Sequence, residues 1–137
     1  MKKGLILSIV ALISVAFLAF IAPQEQKKGE PWKIPAEYKN KANPHKGDAS
    51  LDKLARAAYG KHCRSCHGTK GKGDGPMAKN LKTHPGDFGS AEFQKHTDGE
   101  IYYMSIIGRD EMPNFEKEIT DPEERWALVN FIRTLKE

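Results

Sequence analysis

Cys63-Arg64-Ser65-Cys66-His67 decides how the rest of the chain reads, because it holds both cysteines of the 137 residues. Two thiols three positions apart have few uses. A disulfide across two intervening residues is strained. A structural zinc site wants two more ligands at matching spacing, and there is no third cysteine to begin one. A thioredoxin-like redox pair sits in a βαβ context, and no strand pattern is visible here. The adjoining histidine suits another chemistry. Two thiols at a helix end can reach both vinyl groups of a haem and form thioethers, and the next residue then places an imidazole on the iron. Cys-x-x-Cys-His is the attachment signature of haem c. The motif therefore predicts one covalently attached haem c, bonded at Cys63 and Cys66, with His67 as an iron ligand.

The sequence on either side is helical and glycine-rich by turns. Leu51, Leu54, Ala55, Ala58 and Tyr59 form one apolar stripe at helical spacing. They predict a helix from Leu51 to about His62, capped by Ser50. After the motif come Gly68, Gly71, Gly73, Gly75, Pro76, Pro85, Gly86 and Gly89, a long loop with one short helical turn at Met77 to Leu81. Thr97 and Glu100 have capping-box spacing and open a second helix that runs to Ile107 and stops at Gly108. The last helix opens at Asp121-Pro122-Glu123-Glu124, with Asp121 as cap, Pro122 as first helical residue and Glu124 as box partner. Leu128, Phe131, Ile132 and Leu135 give its buried stripe. The expected fold is all-α, with few helices and long loops around a group not made of protein.

From 51 to 137 the sequence resembles the class I cytochrome c domain. An aromatic stands four residues before the first cysteine in that family, and Tyr59 is there. Four residues earlier the family has glycine, where the first and last helices cross; Ala55 implies slightly wider packing. Trp126, Leu128 and Phe131 resemble the family's last helix, and Thr97 through Gly108 to Met112-Pro113 resembles its helix-then-methionine loop. The resemblance implies that Met112 is the second axial ligand of the iron. The residues themselves are consistent with this. Pro113 holds Met112 extended, and Met112 lies 45 residues past His67, enough chain to reach the opposite haem face. Met104 has the helical spacing of a core residue, and Met77 follows Pro76 on the His67 side. Ligation by His45, His62, His84 or His96, or an open iron site, are the alternatives. Pro76 is the match for the family proline whose carbonyl accepts the other N–H of the ligating histidine.

Function follows from the ligands. A histidine and a methionine raise the iron's potential relative to two nitrogen ligands, and two protein ligands leave no vacant position. That predicts single-electron transfer and not catalysis, with redox proteins as partners: a quinol-oxidising complex and a terminal oxidase or reductase. A fixed haem subunit of such a complex shares the chemistry. An open-site haem enzyme or gas sensor is the third reading, which Met112 argues against.

The chain ahead of the domain is an address and a tether. Met1-Lys2-Lys3 precedes 18 uncharged residues, Leu5 to Ala22. Residues 1–22 are a signal peptide or an N-terminal membrane anchor; the small residues needed for cleavage fit only at Ser14-Val15-Ala16, inside the apolar run. Either way the rest is exported, to the periplasm or the extracytoplasmic face of the inner membrane. Residues 23–47 read either as an extended Pro- and Lys-rich tether that meets the surface of the 48–137 domain at Trp32, Ile34 and Tyr38, or as a fully disordered linker. The formal charge is +4, and without Lys2 and Lys3 the balance is 20 basic to 18 acidic residues. Acidic and basic residues are interleaved, which does not suit nucleic acid. Lys61, Arg64, Lys70, Lys72 and Lys79 crowd the motif and read either as a docking ring for acidic partners or as ordinary solvated surface.

Overall fold

Five α-helical segments form among residues 26–136, which the computed structural model describes. They are α1 (Ala36–Lys39), α2 (Asp52–His62), α3 (Arg64–His67), α4 (Asp98–Tyr102) and α5 (Pro122–Thr134). Short 3-10 turns lie at Ala49–Leu51, Ala78–Asn80 and Phe93–Lys95. Among the described residues there is no strand, only isolated bridges between Lys27 and Thr83 and between Arg109 and Met112. The apolar segment 5–22, with the choice between signal peptide and anchor, lies outside the described residues.

The first and last long helices pack together and set the frame. Ala55, Ala58 and Tyr59 are buried on one side of α2, and the Tyr59 ring lies 4.7 Å from that of Phe131 on α5. Arg56 adds a guanidinium 5.2 Å above the same Phe131 ring. On α5, Ala127, Leu128 and Val129 are fully buried and Ile132 nearly so. Each large aliphatic there contributes roughly 1.5–3 kcal/mol by leaving water.

The helix boundaries depart from the sequence expectations in three places. Asp48, not Ser50, is the cap ahead of α2: its carboxylate accepts from the Ser50 N–H at 2.9 Å and from the Ser50 hydroxyl at 2.6 Å. A 3-10 turn over Ala49–Leu51 then leads into α2. Asp121 caps α5 by accepting from Glu123 N at 2.9 Å, so the cap bond goes to the second helical residue and not through a box with Glu124. The second helix is α only to Tyr102 and continues as a π-helical turn over Tyr103–Ile107. Gly108 N donates to Tyr103 O at 3.3 Å, a five-residue reach that widens the last turn.

Residues 26–41 lie on the domain. Ile34 is buried in the core cluster, and Trp32 and Tyr38 pack against it. The Tyr38 ring meets Tyr103 edge-on at 4.8 Å and stacks on Tyr102 at 6.3 Å. This stretch carries the short helix α1, which no periodicity in the sequence announces.

Candidate functional site

Cys63, Cys66 and His67 lie on a single helical turn, joined to α2 through Cys63. Cys63 N donates to Tyr59 O at 2.9 Å, and His67 N donates to Cys63 O at 2.9 Å. The turn is short, so its last carbonyls lack partners within the helix. The glycine-rich loop supplies them. Gly73 N donates to His67 O at 2.9 Å, Gly75 N to Cys66 O at 3.1 Å, and Met77 N to Ser65 O at 2.9 Å. Such close wrapping needs glycine: a Cβ on Gly75 would lie 2.3 Å from Ser65 O. The Tyr59 hydroxyl closes the same corner, donating to Gly68 O at 2.7 Å in a buried bond.

The site is apolar around the histidine. His67 is buried, and Phe88 stacks on its ring at 4.3 Å with 21° between the planes. Phe93 backs Phe88 at 4.9 Å. Burial, with nearby His84 adding to it, pulls the His67 imidazole down to about 4, so the ring is neutral at physiological pH. Neutral imidazole is the form that ligates metal. Its Nδ1 is buried with no hydrogen-bond partner, a cost that natural interiors seldom carry without reason. The carbonyl expected from the Pro76 loop does not accept from this nitrogen; Pro76 is exposed, and the loop's bonds go to the turn's own backbone. Neither cysteine is in a disulfide, and burial pushes the Cys63 thiol up to about 12. Two free thiols and, one residue on, a buried neutral imidazole are a donor set that fits a covalently bound haem.

The methionines occupy three different settings. Met104 is buried in the core cluster, on the π-helical turn. Met77 is 49% exposed. Met112 is half-buried, in a loop of its own, and packs on the cluster that also contains Cys63 and Phe88. The remaining histidines have local partners. His45 lies 3.9 Å from Glu123, His96 lies 3.3 Å from Glu100, His84 accepts from Gly86 N at 3.0 Å, and His62 meets Phe115 edge-on at 5.4 Å.

Phe88 is the site residue that sequence reasoning missed. It stands alone in a Gly- and Pro-rich loop, where no periodicity separates a packed aromatic from a surface one. Its isolation is the only signal: Phe88 N donates to Gly71 O at 2.8 Å, which folds one glycine-rich stretch onto the other and brings the ring to His67.

No curated protein matches the sequence. A family model described as cytochrome c matches residues 53–136, from the second residue of α2 to the end of α5 and just beyond. That span contains the whole attachment motif and both helices of the frame, and the chain belongs to the cytochrome c family, whose members bind covalently attached haem c and transfer electrons through it.

Proposed function

We propose that Cys63 and Cys66 hold the haem, that His67 and Met112 ligate its iron, and that the protein carries single electrons in a respiratory chain outside the cytoplasm. The observation that carries the reading is the buried, neutral His67, one residue past two free thiols on a single helical turn. When bound, the haem supplies an iron that gains and loses one electron. The chain supplies the rest. The turn 63–67, held by three loop amides, fixes the imidazole direction. Phe88 and Phe93 keep water from His67, which favours the uncharged ligand. Met112 offers a thioether, which favours the reduced iron, and a second protein ligand leaves no position for a substrate. The protein is therefore a carrier and not an enzyme.

Residues 1–22 place the domain on the exported side, as a cleaved signal or as an anchor. Its partners are a quinol-oxidising complex and a terminal oxidase or reductase. Lys61, Arg64, Lys70, Lys72 and Lys79 are all exposed around the attachment turn, and form a basic surface for acidic partners.

The experiment is direct. The haem should resist acid-acetone extraction and stay with the chain on a denaturing gel, and the reduced protein should not bind carbon monoxide at neutral pH. Cys63→Ser should leave little folded haem protein. A colourless, stable, folded protein from a host competent in haem attachment contradicts the reading; carbon monoxide binding by the wild type favours an open-site enzyme or sensor.

A further inference from the structure

The loop that carries Met112 is tight, and its own backbone holds it only in part. Gly108 enters it at φ 69°, and a Cβ there would lie 2.3 Å from the carbonyl oxygens of both Met112 and Pro113. Asp110 turns the chain at φ 51°, a left-handed conformation that disfavours a residue with a Cβ. Met112 N donates to Arg109 O at 2.8 Å, and beyond the loop Phe115 N donates to Ile106 O at 2.8 Å.

The flanking charged side chains reach outward to two struts. The Glu111 carboxylate accepts from Lys82 N and Thr83 N, each at 3.1 Å. The Arg109 guanidinium donates to Pro31 O at 2.9 Å and to Glu30 O, and lies 4.1 Å above the Trp32 ring. The struts are also joined to each other. Lys27 N donates to Lys82 O at 3.3 Å and His84 N to Lys27 O at 3.1 Å, while Gln26 Nε2 reaches Ala78 O at 2.6 Å and Leu81 O at 2.8 Å. Trp32 meets Tyr103 edge-on at 6.4 Å, and Ile34 is buried. The segment 26–34 is thus a strap fixed to the domain at both ends, with Arg109 as its bolt into the Met112 loop.

We propose that Arg109 is a positioning residue for Met112, and that the strap, through Arg109, keeps the sulfur at the iron; this rests on the reading of Met112 as a ligand. A thioether is a weak ligand on a flexible side chain, so its retention depends on how seldom the loop opens. An outside ligand enters only in the opened state, and its apparent affinity scales with that fraction. Arginine suits the task because its planar fork serves two carbonyls and stacks on an indole, which lysine's point charge cannot do.

Imidazole is the probe, titrated into the oxidised full-chain haem protein while the far-red sulfur-to-iron charge-transfer band is followed. Arg109→Gln should raise the apparent imidazole affinity roughly tenfold, the factor one charge-assisted hydrogen bond carries. Arg109→Lys should fall between that and wild type, and Trp32→Leu should shift it the same way. If Arg109→Gln fails to mature, the latter two carry the test. Asn43→Ala is the control. It breaks bonds to Asn130 at 2.9 Å and Asp98 at 3.3 Å, away from the loop, and should lower the melting temperature without changing imidazole affinity. Wild-type imidazole affinity in the Arg109 variants overturns the proposal, as does an equal rise in Asn43→Ala, which would mean general loosening. Met112→Ala distinguishes the deeper failure: if the band survives it, the ligation reading falls, and the strap proposal with it.

Discussion

His67 and Tyr59 illustrate what single residues contribute. The attachment motif was legible because thioether formation and ligation demand fixed spacing, which sequence shows directly. The burial of His67 under Phe88 was not, since a ring stacked from a distant loop leaves no local pattern. Tyr59 was marked by its position before Cys63, but its bond to Gly68 O is visible only in the fold. Tyr59→Phe removes the buried donor and leaves that carbonyl unsatisfied. It should destabilise the haem protein by about 1–2 kcal/mol in denaturant titration, with the spectrum unchanged. An unaltered midpoint would show that the carbonyl finds another donor. Met104 tests the core side of the assignment. It is buried in the apolar cluster, so Met104→Leu should keep the far-red band and cost on the order of 1 kcal/mol. Loss of the band in that variant would transfer the ligand role to Met104.

The elements α2 and α5 follow closely from their stripes, because a helix that buries one face must repeat every third or fourth residue. Capping was fully legible only at α4, since the Ser50 cap and the Glu124 box expected elsewhere give way to Asp48 and to Asp121 with Glu123. Thr97 and Glu100 form the reciprocal box, with Glu100 N to Thr97 Oγ1 at 3.1 Å and Thr97 N to Glu100 Oε2 at 2.8 Å. The Thr97 N–H, and then His96, hold the Glu100 carboxyl below the usual carboxylate range. Glu100 therefore stabilises the fold fully above the ordinary carboxylate pKa, and that contribution fades as pH falls through its lowered value. Glu100→Gln should flatten the acid limb of the stability curve; an identical limb would show that the carboxylate is not coupled to folding. Thr97→Ala should cost about 1 kcal/mol at neutral pH. The π-helical turn and α1 were illegible, because neither a one-residue widening of a helix nor a single short turn leaves an apolar period. Ser105 donates back to Ile101 O at 2.5 Å in the widened turn, and α1 is shaped by what it touches. A Cβ on Gly99 would lie 1.9 Å from Tyr38 O. Gly99→Ala should push α1 off α4 at a cost of about 1–3 kcal/mol, read by chemical denaturation and by exposure of Trp32. Neutral behaviour would mean that the 26–41 segment yields without loss.

At the scale of the molecule, few helices and long loops make sense only around a prosthetic group. The sequence showed this through its glycines and its single motif, whereas the closure of the Met112 loop by Arg109 and Glu111 depends on segments some 80 and 29 residues away and had no local sign. The exposed lysines and arginine about the attachment turn should make electron exchange with an acidic redox partner fall roughly tenfold or more from low to high ionic strength. A rate indifferent to salt would leave that surface as ordinary solvated residues. Completion of the iron's coordination by His67 and Met112 together is what would separate a carrier from an open-site haem protein. The far-red absorption of the oxidised holoprotein, recorded for wild type and for Met112→Ala, tests it most directly. The wild type should show a weak sulfur-to-iron band that vanishes in the variant, together with a lower reduction potential and new binding of carbon monoxide to the reduced variant. A wild type without the band, or a variant that keeps it, would mean that Met112 does not ligate the iron.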